Sequence, residues 1–206
     1  MSVRKWLLSA AVVTAASLAM PGIASADWFI TPFVGWNAGG SADVNGSDGS
    51  TRASEFEHKA DYGVSIAGMG KGIIGAEFDF GYSPNFFSTT TDANGFAFSS
   101  GNNVATLTGN LIVGAPVGGH GAQIRPYAVG GLGLIRSNVG ATGFFDATTA
   151  NDFGFDVGAG LAGFFTQNIG LRGDVRYFRS FNGSNNGVGL SNFHFWRTSI
   201  GVSFKF

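Results

Sequence analysis

Apolar and polar residues alternate along eight segments of the chain, which is typical of β-strands that have one apolar and one polar face. The segments are 28–37, 59–68, 72–83, 103–114, 124–137, 152–165, 168–179 and 193–206. In the clearest internal segment, apolar residues alternate with charged ones: Ile169, Leu171, Val175 and Tyr177 against Arg172, Asp174 and Arg176. The pattern predicts an all-β fold of eight antiparallel strands.

Glycines make the alternation harder to read in the segment 124–137. The apolar face is assigned there to Tyr127, Val129 and Ile135, opposite Ala128 and Gly130. We therefore expect Tyr127 to share the outer, apolar surface of the sheet with the apolar faces of the other segments.

The polar faces carry many charges. The charged residues are Asp61, Glu77, Asp79, Asp156, Arg172, Asp174, Arg176, Arg197 and Lys205. A soluble sandwich would expose these side chains to water, whereas a membrane barrel would enclose them in its lumen and turn the apolar face to lipid. Alternation alone does not separate the two folds.

Aromatic residues on the apolar faces concentrate at the strand ends. One set consists of Trp28, Tyr127, Phe165 and Phe206, and the other of Trp36, Tyr62, Tyr82, Phe153, Tyr177 and Trp196. Two aromatic girdles mark the two interfaces of a membrane barrel. This placement favours an eight-stranded up-and-down transmembrane β-barrel over the sandwich.

Connections of different length also favour the barrel. The long ones, rich in Gly, Asn, Ser and Thr, are 38–58, 84–102, 138–151 and 180–192. The shorter ones are 69–71, 115–123 and 166–167. Long loops at one end and short turns at the other are the outer-membrane pattern.

The first 26 residues read as a cleaved secretory signal peptide. Arg4 and Lys5 precede an apolar stretch, and Ala24-Ser25-Ala26 fits the cleavage pattern, so the barrel domain is expected to be 27–206. That portion has 10 basic and 13 acidic residues, a net charge of −3, which gives no case for nucleic acid. No later stretch has 18 unbroken apolar residues, and the absence of Cys excludes disulfides and thiolate sites.

The alternation continues to the last residue, and the chain ends on an aromatic. Phe206, Phe204, Val202 and Ile200 resemble the C-terminal assembly signal of bacterial outer-membrane proteins. The segments WFITPFVGW, GAEFDFGYS, TLTGNLIVGAP, RPYAVGGLG, DVGAGLAGFF and LRGDVRYF resemble those of small OmpA/OmpX-type barrels. The resemblance implies a Gram-negative outer-membrane protein with both termini in the periplasm. It implies outer-membrane lipid, lipopolysaccharide and the barrel-assembly machinery as partners, the last through the C-terminal strand.

Candidate catalytic and cofactor motifs are weak. Gly158, Gly160 and Gly163 match G-x-G-x-x-G but lie inside a strand segment, so no dinucleotide is expected. Asp43, Asn45 and Asp48 fail the EF-hand spacing, and no metal or cofactor is expected. The chain has three histidines, His58, His120 and His194. Barrel deacylases of lipid A pair a strand histidine with a following serine, but Phe195 follows His194 and Ser191 lies on the wrong side, so no enzyme is expected.

The charged lumen leaves two functional interpretations. Paired acids and bases would form a salt-bridged plug, which favours a structural or surface-interaction role: envelope integrity, adhesion or loop display. An unsealed lumen would make the protein a narrow porin for small solutes or ions. A lipid A-modifying enzyme is the third alternative, and the sequence does not specify a ligand of the loops.

Overall fold

The computed structural model describes residues 27–45, 51–56, 59–69, 73–86, 102–117, 123–139, 148–181 and 190–206. Its nine strands are β1 (Asp27–Asn45), β2 (Thr51–Phe56), β3 (Lys59–Met69), β4 (Ile74–Pro84), β5 (Asn103–Gly114), β6 (Gln123–Val139), β7 (Thr148–Phe164), β8 (Ile169–Ser180) and β9 (Leu190–Lys205). The described residues contain no helical segment that could span a bilayer.

Eight of the strands close into a barrel. Strands β3 to β8 each pair antiparallel with the strand that follows, and β1 pairs with β3 on one side and β9 on the other. At the seam, the amide of Phe206 donates to the carbonyl of Trp28 over 2.9 Å. Closure leaves no edge of hydrogen-bonding groups facing lipid. The predicted eight-stranded antiparallel barrel is confirmed.

The strand β2 was not predicted. It forms a hairpin with the end of β1, in a register that runs from Gly40↔Phe56 to Asn45↔Thr51. The sequence pattern predicts a loop over 38–58, because this polar and glycine-rich stretch has no apolar face to reveal a strand. Gly39 has a φ of +60°, at a shift in the register of β1 against β9. Glycine adopts this left-handed conformation without steric cost.

The barrel has two distinct ends. The turn end carries both ends of the described chain and the connections 70–73, 115–122 and 165–168, and the loop end carries the longer connections. Strands β1, β7 and β9 extend further towards the loop end than predicted, to Asn45, Thr148 and Leu190.

The apolar faces of seven predicted segments point outward, and their polar faces point inward. The segment within β6 is reversed. Tyr127, Val129 and Ile135 are buried inside the barrel, at 6%, 3% and 1% exposure, while Leu132 and Leu134 are exposed outside. The prediction for this segment was wrong because both of its faces carry apolar residues, so alternation does not fix which one meets the lipid.

Candidate functional site

The middle of the barrel interior contains a charged layer of eight side chains, each at most 7% exposed. Its members are Asp61, Glu77, Asp79, Asp156, Arg172, Asp174, Arg176 and Arg197. They project from β3, β4, β7, β8 and β9 at alternate positions, so the sheet's period of two brings them into one volume. Buried charges are tolerated only when they are paired and hydrogen-bonded.

Arg176 lies at the centre of the charged layer and contacts four carboxylates. Its Nη1 is 2.8 Å from Glu77 Oε1 and 3.6 Å from an oxygen of both Asp79 and Asp156. Its Nη2 is 3.1 Å from Asp174 Oδ2, to which it donates. One guanidinium therefore links acids from β4, β7 and β8.

Arg172 joins the charged layer to Tyr127. Its Nη2 lies 2.5 Å from Glu77 Oε2, and its Nε donates to the Tyr127 hydroxyl over 2.7 Å. That hydroxyl in turn donates to Asp174 Oδ2 over 2.8 Å. Two hydrogen bonds to charged groups account for the inward orientation of Tyr127, so its assignment to an outer aromatic girdle was wrong.

Arg197 connects the charged layer to the aromatic part of the interior. Its Nη2 donates to Asp79 Oδ1 over 2.6 Å, and its Nη1 lies 3.7 Å from Asp61 Oδ2. The guanidinium carbon lies 4.7 Å from the ring centroid of Phe33 and 4.9 Å from that of Phe178. Cation–π contacts of this kind add stabilisation where water is excluded.

Apolar side chains pack inside the barrel on both sides of the charged layer. The loop-end cluster consists of Phe86, Val104, Ile135, Phe178, Phe193 and Phe195. The turn-end cluster consists of Phe29, Ala67, Met69, Ile112, Tyr127 and Val129. Between the turn-end cluster and Arg172 lies a cavity of about 30 Å³, which has room for water but not for an organic solute. The described interior is therefore filled by three layers of side chains.

Sequence reasoning missed the apolar interior residues, although their positions gave a signal. Phe178 is two residues from Arg176, and Phe195 is two residues from Arg197, so each shares the inward face of a charged neighbour. Lys205 was predicted to join the charged network and does not. Its side chain lies at the turn-end rim, 30% exposed, with Nζ 2.7 Å from Asp27 Oδ2, because this last residue of β9 lies beyond the enclosed interior.

The remaining aromatics assigned to the girdles lie on the outer surface. Trp28, Phe165 and Phe206 are exposed at the turn end, and Trp36, Tyr62, Tyr82, Phe153 and Trp196 at the loop end. Tyr177 is half-buried, with its ring centroid 5.1 Å from that of Trp196. Their contact with a membrane interface stays a prediction.

The other candidate motifs show no assembled chemistry. Gly158, Gly160 and Gly163 lie within β7, where a side chain at Gly160 would overlap the Tyr127 ring. His194 lies on the outer face of β9, with its ring 5.8 Å from that of Tyr177. In the part of the chain that the structure describes, no three or more His, Asp or Glu side chains are arranged so that they could hold a metal ion. His58, His120 and Asp48 lie outside that part, as do the side chains of Asp43, Asn45 and Ser191.

Comparison with known protein families identifies the family to which this architecture belongs. The family described as outer membrane protein beta-barrel domain has a model that matches residues 7–206. The chain belongs to this family. The sequence has no significant match among curated proteins.

Solved outer membrane barrels share the fold at low sequence identity. Neisserial surface protein A is 18% identical with a TM-score of 0.57, covering 87% of this chain and 97% of that one. The Pseudomonas aeruginosa outer membrane protein OprG is 15% identical with a TM-score of 0.58, covering 88% and 96%. The N-terminal barrel domain of P. aeruginosa OprF is 18% identical with a TM-score of 0.51, covering 87% and 97%. These likenesses concern the fold of an outer membrane barrel.

Proposed function

We propose that this outer membrane barrel protein is a sealed anchor with a structural or surface-interaction role: envelope integrity, adhesion or display of its loop-end connections. The filled interior supports the proposal, since a barrel without a path for solutes would act through the parts outside the membrane. An eight-stranded barrel is only wide enough for its own side chains to fill it. Here the charged layer and two apolar clusters fill it along its length.

The energetics of the charged layer argue against a conducting state. To open a path through the middle, Arg176 must leave Glu77 and Asp174, which lie 2.8 and 3.1 Å away. Breaking a buried ion pair costs about 3–5 kcal/mol. At such a cost, the open state is populated by between roughly one molecule in a hundred and one in several thousand.

The proposal includes the route to the membrane. Residues 1–26 direct export and are cleaved, and the barrel-assembly machinery inserts the chain after contacting its C-terminal strand. Outer-membrane lipid and lipopolysaccharide then surround the barrel. Supporting this, Ile200, Val202, Phe204 and Phe206 are all exposed on the outer face of β9 or directly after it.

We propose no catalytic role. Phe195, which follows His194, lies in the loop-end cluster at 1% exposure, so the position at which barrel deacylases place their serine is an interior packing residue.

Single-channel recording of refolded 27–206 in a planar bilayer tests the sealed-anchor proposal. We expect no stable current steps, while a larger barrel with an open lumen, reconstituted in the same way, conducts. Reproducible steps from the folded protein would overturn the proposal and favour the narrow porin, with Arg172, Arg176 and Arg197 lining its path.

A further inference from the structure

Among the strand residues whose side chains the structure describes, formal charge on the outer surface is confined to one region. Among outward-facing strand residues whose side chains the structure describes, the charged ones are Arg136 on β6 and Arg179 on β8, and none is acidic. Both are exposed and lie near the loop end, on the two strands that flank β7. A lipid-facing surface normally excludes charge at the midplane and accepts it near the interfaces.

Neither arginine is neutralised by the described part of the protein. Arg136 lies opposite Asn151, and Arg179 lies opposite Phe155 on one side and His194 on the other. No carboxylate within the described ranges forms an ion pair with either guanidinium, in contrast to the arginines of the charged layer. Within the described part of the chain, two exposed cations are therefore available to an external anion.

The surroundings of Arg179 are of the kind expected at a membrane interface. A chain of outer-surface rings runs across β7 to β9: Phe181 lies 5.5 Å from Phe155, which lies 6.3 Å from Tyr177, which lies 5.1 Å from Trp196. Aromatic rings collect at the level of lipid headgroups. Towards the loop end from Leu134, the outer face of β6 turns polar with Arg136 and Asn138.

We propose that Arg136 and Arg179 form a binding site on the outer surface for a membrane lipid whose headgroup carries two phosphates. The residues of β7 that pair with them, Asn151 and Phe155, are four positions apart, so the two arginines are offset by about 13 Å along the strands. Perpendicular to the strands, they are separated by the width of β7 and lie about 9–10 Å apart. This spacing suits two phosphates of one headgroup better than one. The planar guanidinium binds phosphate through paired hydrogen bonds.

The site needs the barrel to lie in a membrane but does not depend on whether its interior conducts. Current recordings from the same preparations therefore separate a failure of this site from a failure of the sealed-anchor proposal. Both side chains are exposed, so their replacement leaves no buried group without a partner.

Retention of lipid by the folded barrel tests the site. Refolded 27–206 is incubated with diphosphorylated lipid A, monophosphorylated lipid A or phosphatidylcholine, and retained lipid is counted by native mass spectrometry from detergent. We expect wild type to retain the diphosphorylated lipid preferentially, and Arg136→Gln and Arg179→Gln each to weaken retention about tenfold. Arg→Lys variants should fall between wild type and Gln, because they keep the charge and lose the paired geometry.

Matched controls make the outcome decisive. Asn151→Gln alters an exposed neighbour of Arg136 without changing charge and should retain lipid like wild type. Heat-dependent gel mobility confirms that each variant is folded. Equal retention of diphosphorylated lipid by the Arg136→Gln/Arg179→Gln double variant would overturn the site, as would equal retention of phosphatidylcholine by wild type. Displacement by an equal concentration of inorganic phosphate would overturn the two-phosphate headgroup as the ligand.

Discussion

The charged layer and the loop-end cluster are neighbours in the same barrel interior, yet different forces hold them together. Arg176 and Phe178 are successive inward-facing residues of β8, as are Phe195 and Arg197 of β9. The arginines are stabilised by specific carboxylates, whereas the rings are stabilised by packing on one another, with Phe178 stacked on Phe195 at 5.0 Å. The difference predicts how each region responds to the loss of a side chain.

The two regions also differ in what burial contributes. Lipid is as apolar as a phenylalanine ring. Moving a ring from the lipid-facing surface into the barrel interior therefore gains little free energy from the hydrophobic effect. The loop-end cluster is therefore stabilised mainly by close packing and acts by excluding water. The charged layer could not face lipid at all, since an arginine near the midplane costs about 2–4 kcal/mol there.

Removing Arg176 should produce the largest loss of stability. Arg176→Leu leaves Glu77 and Asp174 with fewer partners in a buried layer, and we expect the free energy of unfolding to fall by about 4–5 kcal/mol. Guanidinium unfolding in detergent measures it. Arg179→Leu is the matched control, because it makes the same change on the same strand at an exposed site. Similar losses from the two variants would contradict a paired interior layer.

Shortening Phe178 should cost less and act differently. Phe178→Ala removes a ring at 0% exposure that stacks on Phe195, and we expect a loss of about 3 kcal/mol. Phe181→Ala, on an exposed ring just beyond β8, should change stability little. Combined with Met69→Ala in the turn-end cluster, the Phe178→Ala loss should add within about 0.5 kcal/mol, because the two described clusters share no residue. Strong coupling would mean that the apolar clusters are not independent of each other.

The sequence predicted the strands of the barrel and the direction of their faces better than the contacts among the interior side chains. Alternation is set by the contrast between lipid and interior, so seven of eight segments face the way their pattern indicates. Alternation also assigned eight of the nine charged residues to the interior, because every second residue of a strand faces the same side of the sheet. The contacts of an interior side chain depend on how strands that are distant in sequence are paired. Arg172, for example, donates a hydrogen bond to Ser65, which is 107 residues away in the sequence.

The errors come from residues that suit either side of the wall. Tyr127 reads as an interfacial aromatic until the positions of Arg172 and Asp174 are known. Phe29, Phe178 and Phe195 are as apolar as the lipid-facing residues, so composition does not assign them to the interior. The hairpin of β1 and β2 is formed by backbone pairing, and its polar and glycine-rich sequence shows no alternation that would reveal it.

The smallest effect is expected within the charged layer itself, at Asp156. The layer contains five carboxylates and three guanidinium groups, so not every acid is matched by a base. Neither carboxylate oxygen of Asp156 has a hydrogen-bond partner among the described residues, and the nearest cation among them, Arg176 Nη1, is 3.6 Å away. Asp156→Asn removes a charge that is poorly compensated and keeps the volume, so we expect a change in unfolding free energy within about 1 kcal/mol of zero.

Glu77→Gln is the matched comparison for Asp156→Asn. Glu77 is 2.5 Å from Arg172 and 2.8 Å from Arg176, so its neutralisation leaves two buried cations short of a partner and should cost about 3 kcal/mol. Guanidinium unfolding of both variants in one detergent gives the difference directly. A loss at Asp156 as large as that at Glu77 would mean that stability follows the total charge of the layer. The expected difference would mean that stability follows the individual ion pairs. Dependence on specific pairs is what distinguishes the charged layer from the loop-end cluster, whose rings are stabilised by packing.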